Sequence, residues 1–79
     1  MIYYVIFGRD RREVMNLEGD ALGIYLEPDL EHAESKALEE MGEYGWPFAS
    51  IFILNPVPVR LSFLSLEDEV AKILGRWFS

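Results

Sequence analysis

The sequence contains no cysteine and no threonine, and it has a single histidine, His32. Without cysteine the chain cannot form a disulfide, a thiol nucleophile or a cysteine-ligated metal site. No glycine-rich phosphate loop is present either. A metal site needs three or four converging ligands, and the set Asp29, His32 and Glu39 has no recognised ligand spacing. We therefore expect a protein that is not an enzyme and that uses no cofactor or metal.

Long apolar runs are also missing. No stretch approaches the roughly 20 apolar residues that a membrane-spanning helix needs. The apolar segment 2–7 precedes the positive charges of Arg9, Arg11 and Arg12, whereas a secretory signal has the opposite order. We expect a cytoplasmic protein without membrane contact, folded as one α+β domain over residues 1–79.

Positive charge is scarce, and negative charge is concentrated in the middle of the chain. The net charge is −7. Residues 13–43 hold ten acids against Lys36, which gives −9, whereas residues 1–12 have three arginines against one aspartate, which gives +2. A field of this sign disfavours direct contact with nucleic acid or anionic lipid and favours a basic partner.

Four segments have the composition of strands: 2–7, 21–26, 48–54 and 57–63. Segments 2–7 and 48–54 are apolar on both faces, which predicts central strands. Pro58 lacks a backbone donor, so 57–63 is predicted to be an edge strand or an irregular extended segment. Strict alternation in this segment predicts four side chains that face the core, namely Val57, Val59, Leu61 and Phe63.

Residues 10–19 support two interpretations. Asp10 with Glu13 is typical of a helix cap, and Gly19 is typical of a helix end. Alternatively, 12–18 forms a strand that a tight turn at Gly19-Asp20 joins to 21–26 as a hairpin. We favour the strand.

Two helices are predicted with more definite limits. The first begins at Pro28, ends at Gly42 or Gly45, and places five apolar residues on one side: Leu30, Ala33, Ala37, Leu38 and Met41. The second follows a cap at Ser65 and buries a stripe formed by Leu66, Val70, Ile73 and Trp77. The predicted fold is a two-layer α+β sandwich, with a mainly antiparallel sheet of three to five strands and two helices on one face.

The acidic helix is the main candidate for function. It has four glutamates on its polar side, Glu31, Glu39, Glu40 and Glu43. One interpretation is a solvated face, eased by a Lys36–Glu40 pair. The other is our leading hypothesis for function, a regulatory or inhibitory module that docks on the basic surface of a protein partner. Its carboxylates steer the approach, and an aromatic patch supplies affinity. The patch residues are Tyr44, Trp46, Trp77 and Phe78. In a sharper version the carboxylates mimic nucleic-acid phosphates, as in small proteins of phages and mobile elements.

Two alternatives belong to other classes of function. The apolar excess fits a homo-oligomer, most simply a dimer, that associates through edge strand 57–63 or through Trp77 and Phe78. A small-ligand site or an acid–base enzyme would use Glu34, which falls inside the apolar sector of its helix, together with His32.

Overall fold

The chain forms a four-stranded antiparallel sheet with three helices, in a computed structural model that describes residues 1–78 and the side chains of residues 1–76. The elements in chain order are β1 (Ile2–Gly8), α1 (Arg11–Met15), β2 (Ala21–Leu26), α2 (Leu30–Tyr44), β3 (Phe48–Leu54), β4 (Pro58–Ser65) and α3 (Leu66–Phe78). The predicted α+β class with a mainly antiparallel sheet is confirmed.

The strands lie in the order β2-β1-β3-β4, so β1 and β3 occupy the interior of the sheet. Both are the strands whose sequences are apolar on both faces, and their predicted central position is confirmed. Strand β4 is at the edge, as Pro58 indicates. Val5 of β1 lies opposite Gly23 of β2 and Ile51 of β3, which fixes the register of the three strands.

Helix α2 covers one face of the sheet. Its side chains Ala33, Ala37 and Met41 are fully buried and join a core cluster with Val5 and Ile51. Two of the three buried helical positions are alanine, and such small side chains allow the helix backbone to approach the sheet closely. The predicted apolar side of this helix is confirmed.

The limits of α2 differ slightly from the prediction. Asp29 is the N-cap, and its carboxylate accepts a hydrogen bond from the backbone N–H of His32 at 2.9 Å. Pro28 therefore precedes the helix instead of starting it. Gly42 lies within the helix, which ends at Gly45 with a left-handed φ of 73°, a conformation that glycine adopts without strain.

Helix α1 packs on the opposite face of the sheet, and the strand favoured for 12–18 is wrong. The Asp10 carboxylate accepts a hydrogen bond from the N–H of Glu13 at 3.0 Å, which is the helix cap of the alternative interpretation. Val14 is fully buried, and its carbonyl accepts a hydrogen bond from the buried Ser50 hydroxyl at 2.7 Å. Gly8 leaves room for α1, because an added Cβ would lie 2.7 Å from Val14 Cγ2.

The predicted inward set on β4 is also wrong, because the pairing with β3 shifts. Ile51 lies opposite Ser62, whereas the next residue, Phe52, lies opposite Arg60. Leu61 is thus an extra residue in β4, and such a bulge breaks the alternation of side chains. After the bulge, Leu64 is buried in the core and Phe63 lies opposite Ser50 on the other face, where it is half-buried. Before it, Val59 lies opposite Ile53 on the predicted side, but Val57, Val59 and Leu61 are exposed.

Helix α3 begins directly after Ser65, as predicted, but its apolar stripe is not buried. Leu66 is half-buried and packs against the core cluster. Val70, Ile73 and Leu74 are 48%, 56% and 50% exposed. The fourth stripe residue, Trp77, has its side chain outside the described part. Beyond its first turn, α3 projects from the end of β4.

Candidate interaction surface

Three glutamates form what we term the acidic side of α2: Glu31, Glu39 and Glu43. They are spaced by eight and four residues, which brings them to one side of the helix, and all three are exposed. Among the side chains of residues 1–76, none of the three forms a salt bridge. The acidic side therefore presents uncompensated negative charge to solvent.

The arrangement of these carboxylates is unfavourable for the helix itself. Glu39 and Glu43 are four residues apart, and like charges at that spacing cost about 0.2–0.5 kcal/mol. Glu43 also lies in the last turn of α2, which contains no basic residue. A negative charge there opposes the helix dipole and costs roughly 0.3–1 kcal/mol. The position of Glu43 thus serves neither helix formation nor packing.

Glu40 has a structural partner, unlike the acidic side. Its Oε2 accepts a hydrogen bond from the Tyr25 hydroxyl at 2.6 Å, and Tyr25 is almost completely buried. Burial, with a further contribution from this bond, raises the pKa of Tyr25 well above its ordinary range. Lys36 lies over the Tyr25 ring, with Nζ 4.6 Å from the ring centroid, and does not form the predicted pair with Glu40.

His32 contacts only its own helix cap. Its Nδ1 lies 2.7 Å from Asp29 Oδ1, and both side chains are more than half exposed. The hydrogen bond and the charge of Asp29 raise the pKa of His32, and the hydrogen bonds from His32 lower the pKa of Asp29. The pair stabilises the first turn of α2 and does not extend to Glu39.

Glu34 is half-buried, as its place in the apolar sector indicates. Its Oε2 accepts a hydrogen bond from the Ser62 hydroxyl at 2.7 Å, so it joins α2 to β4. Two surface cavities, of about 670 and 370 Å³, lie elsewhere and are lined neither by Glu34 nor by His32. Within residues 1–78, no group of three or more histidine, aspartate or glutamate side chains converges as a metal site would require.

The predicted aromatic patch is only partly described. Tyr44 is 64% exposed at the end of α2, one residue after Glu43. Trp46 is half-buried, with the Arg9 guanidinium 5.3 Å from its ring centroid. The side chains of Trp77 and Phe78 lie outside the described part. Tyr44 is therefore the patch residue placed next to the acidic side of α2.

Four arginines lie in or near α1: Arg9, Arg11, Arg12 and Arg60. The Arg11 guanidinium lies 5.2 Å from the Phe63 ring centroid, and Arg60 donates a hydrogen bond to the Met15 carbonyl. In the part of the chain that the structure describes, Arg9, Arg11 and Arg60 form no salt bridge. The larger cavity lies beside these residues. These four arginines thus form a basic region around α1, and Arg9 extends it to Trp46, just beyond the end of α2.

Sequence reasoning missed an apolar surface on the sheet. Side chains of β1, β2 and β3 that point away from α2 form what we term the open face: Ile2, Tyr4, Leu22, Ile24, Leu26 and Leu54. The signal was present in the sequence, since segment 21–26 has large apolar residues at every second position and small residues or tyrosine between them. The expected surplus of apolar surface was correct, but its location was not predicted.

No protein-family model, curated protein sequence or solved structure matches the chain. Within residues 1–78, no helix is long and apolar enough to cross a membrane. The fold and its surfaces define a small α+β domain with an acidic helix on one side of its sheet and an open apolar face on the other.

Proposed function

We propose that the chain is a small protein–protein interaction module whose acidic side of α2 docks on the basic surface of a protein partner. Tyr44, next to Glu43, supplies an apolar anchor of the kind that carries much of the affinity in protein interfaces. Glu40 is left out of the docking surface, because the Tyr25 hydroxyl already engages its carboxylate.

The observation that supports this proposal is the position of Glu43. It repels Glu39 and opposes the dipole at the end of α2, with no basic residue in the last turn. Local arrangements that cost stability without a structural return are typical of functional sites. A basic partner removes both penalties, because its cations neutralise the two carboxylates.

The proposal keeps the remaining expectations from the sequence. The module acts in the cytoplasm, is not an enzyme, and does not bind nucleic acid directly, since its negative field repels phosphate. Mimicry of nucleic-acid phosphates by the acidic side is the version in which the partner is a nucleic-acid-binding protein. Glu34 and His32 have structural roles in this proposal.

Affinity capture with a salt gradient tests the proposal. Wild-type protein is immobilised, incubated with lysate of the source organism and eluted with increasing salt. The E31Q/E39Q/E43Q variant should bind a basic partner about tenfold more weakly, because each exposed ion pair contributes roughly 0.2–1 kcal/mol. Retained proteins should also elute from it at lower salt.

The matched control is E13Q/E67Q/D68N, which removes three negative charges from exposed positions outside α2. It should retain the partner almost as wild type does. Equal loss in both variants would mean that only net charge matters. Retention that is insensitive to salt and to E31Q/E39Q/E43Q would contradict the proposal.

A further inference from the structure

The open face is a continuous apolar surface on the β2 side of the sheet. Successive strand residues point to opposite faces, and Tyr3 and Tyr25 point into the core beneath α2. Their neighbours therefore point the other way. The register places these neighbours side by side as Ile2 with Leu26 and Tyr4 with Ile24.

The side chains of this face are large and mostly uncovered. Five of them are 48–76% exposed: Ile2, Leu22, Ile24, Leu26 and Leu54. The smaller cavity, of about 370 Å³, opens beside Ile2, Tyr4 and Leu54. An edge strand with this pattern in water is unfavourable unless another surface covers it.

The total accessible surface supports the same view. It is 5418 Å², whereas a folded chain of this mass typically exposes about 4,900 Å². The chain therefore leaves more surface in contact with water than its size requires. The exposed apolar side chains of the open face and of the projecting part of α3 contribute to it, as do Val57, Val59 and Leu61 at the β4 edge.

The area of the open face suits a moderate dimer. Full burial of a leucine or isoleucine side chain contributes about 1.5–3 kcal/mol, which at ~25 cal/mol/Å² corresponds to about 60–120 Å² of apolar surface. The five partly exposed side chains together with Tyr4 therefore offer on the order of 350 Å² of apolar surface per copy. Interfaces are about 60% apolar, so two such faces imply a total buried area of about 1,100 Å². That just clears the roughly 1,000 Å² expected of a specific interface.

We propose that a second copy of this chain covers the open face, so that two sheets pack face to face about a two-fold axis parallel to their strands. This proposal goes beyond the function proposed above, because the open face and α2 lie on opposite sides of the sheet. It also differs from the predicted self-association through 57–63 or through Trp77 and Phe78, since it uses β1 and β2.

The position of α1 selects this symmetry. Helix α1 stands on the same face as the open surface, against β1 and β3 near Gly8 and Ser50. Its diameter of about 10 Å equals the distance of about 10 Å between packed sheets. A two-fold axis along the strands places each α1 beside the partner's β2, in the same layer. An in-plane axis across the strands would keep each strand over its own copy, so it would press each α1 against the partner's β1 and β3 instead of placing it beside a sheet edge.

Charged side chains of both signs lie at the end of the open face where α1 stands. Arg11 and Arg12 are exposed on α1, and Glu18 and Asp20 are exposed just before β2. In the described part of the chain none of the four forms a salt bridge. Both acids lie near α1 of their own copy, because the Glu18 N–H donates to the Glu13 carbonyl at 2.8 Å and Asp20 Oδ2 lies 3.6 Å from a Cβ built on Gly8. The two-fold axis keeps this end of both copies together, so arginines of one copy face acids of the other across the axis.

Sedimentation equilibrium tests the dimer. Wild-type protein should show a reversible monomer–dimer equilibrium with a micromolar Kd. I24K should weaken the dimer by at least about a hundredfold, because it places a charge in the centre of the apolar contact. Circular dichroism should show a folded monomer, since Ile24 is already 63% exposed.

The matched control is I73K, the same substitution at a residue of α3 that is 56% exposed. It should dimerise like wild type, as should E31Q/E39Q/E43Q, whose positions lie across the sheet. The proposal is overturned if wild type stays monomeric at hundreds of micromolar, if I24K dimerises normally, or if I73K is the variant that dissociates.

Cross-linking gives a second test that needs no disruptive charge. The chain has no cysteine, so I24C and I73C each introduce a single thiol. In the face-to-face dimer the two I24C thiols are separated by about one sheet spacing of ~10 Å, within reach of a short bis-maleimide. I24C should cross-link at dilute concentration and I73C should not. Equal cross-linking of the two variants would refute the arrangement.

Discussion

The hydroxyl of Tyr25 donates a hydrogen bond to Glu40 Oε2 across 2.6 Å, and this bond joins edge strand β2 to helix α2. Tyr25 is 3% exposed, so its ring belongs to the core while its hydroxyl reaches the border where Glu40 is half-buried. The ring also supports Lys36. Tyr25 therefore contacts two charged side chains of α2: its hydroxyl binds Glu40, and its ring packs against Lys36.

Loss of this hydrogen bond should destabilise the fold. Y25F keeps the ring in the core and under Lys36 but leaves the half-buried Glu40 carboxylate without its donor. We expect a loss of about 1–2 kcal/mol in the free energy of unfolding, measured by urea titration. E40Q is the control, because its amide oxygen still accepts from Tyr25, and it should lose less. Equal stability of Y25F and wild type would contradict the structural role of this bond.

Two glycines should respond in opposite directions to the same substitution. G8A should destabilise by about 1–3 kcal/mol, because its Cβ would lie 2.7 Å from Val14 Cγ2 and push α1 off the sheet. G42A should stabilise by about 0.5–1 kcal/mol, because Gly42 lies within α2 and, apart from its chain neighbours and the local helix backbone, nothing lies within 4 Å of the added Cβ. Urea unfolding of both variants measures the difference, and the same sign for the two would be inconsistent with this packing.

The His32–Asp29 pair gives a defined pH dependence. A raised His32 pKa means that the pair stabilises the fold fully below the ordinary value of 6.5, and that this contribution is lost as pH rises through the folded value. A lowered Asp29 pKa means a contribution present above 3.8 and lost as pH falls through the folded value. The pair therefore stabilises most between about pH 4 and 6.5.

NMR titration of the His32 ring measures this interaction directly. The pKa of His32 should exceed 6.5 in the wild type and should fall toward that value in D29N. Asparagine is as good an N-cap as aspartate, so D29N removes the charge while preserving the start of α2. A His32 pKa that is unchanged in D29N would exclude the ion pair.

Glu43 should show opposite effects on stability and on binding. E43Q removes a repulsion with Glu39 and an unfavourable charge at the end of α2, so it should raise the free energy of unfolding by a few tenths of a kcal/mol. It should also weaken retention of a basic partner. E31Q is the control on the same helix, because Glu31 lies in the first turn, where the dipole favours an acid. It should lower stability while also weakening retention.

The sequence predicts most of the sheet and the position of α2. Segments 2–7 and 48–54 have apolar residues on both faces, which correctly predicts central strands. Ile2 and Leu54 at their ends nevertheless stay exposed. Apolar residues at helical spacing from Leu30 to Met41 identify the buried side of α2. These features depend on local periodicity, which the sequence displays directly.

The errors concern features that depend on contacts distant in sequence. Helix α1 is decided by the fit of Val14 against Gly8 and by its bond to Ser50, 36 residues away. The facing of β4 depends on the bulge at Leu61, which arises from pairing with β3. Amphipathic periodicity in α3 correctly predicts a helix, but it does not say whether this chain supplies the surface that covers it.

The candidate surface was predicted in part for the same reason. The glutamates of α2 can be assigned to its polar side from spacing alone. Their partners cannot, and Glu40 and Lys36 turn toward Tyr25 instead of toward each other. The open face could not be located from the sequence, because Ile24 is exposed only because α1 stands over β1 and β3 near Gly8 and Ser50 and leaves this face of β2 uncovered.

The two faces of the sheet have separate consequences because they point in opposite directions. A molecule seated on α2 leaves β1 and β2 untouched. A pair of chains joined through those strands directs its two acidic helices outward, away from each other. Such a pair is bivalent, and on a target that displays repeated basic sites its retention would grow through avidity rather than through a larger contact.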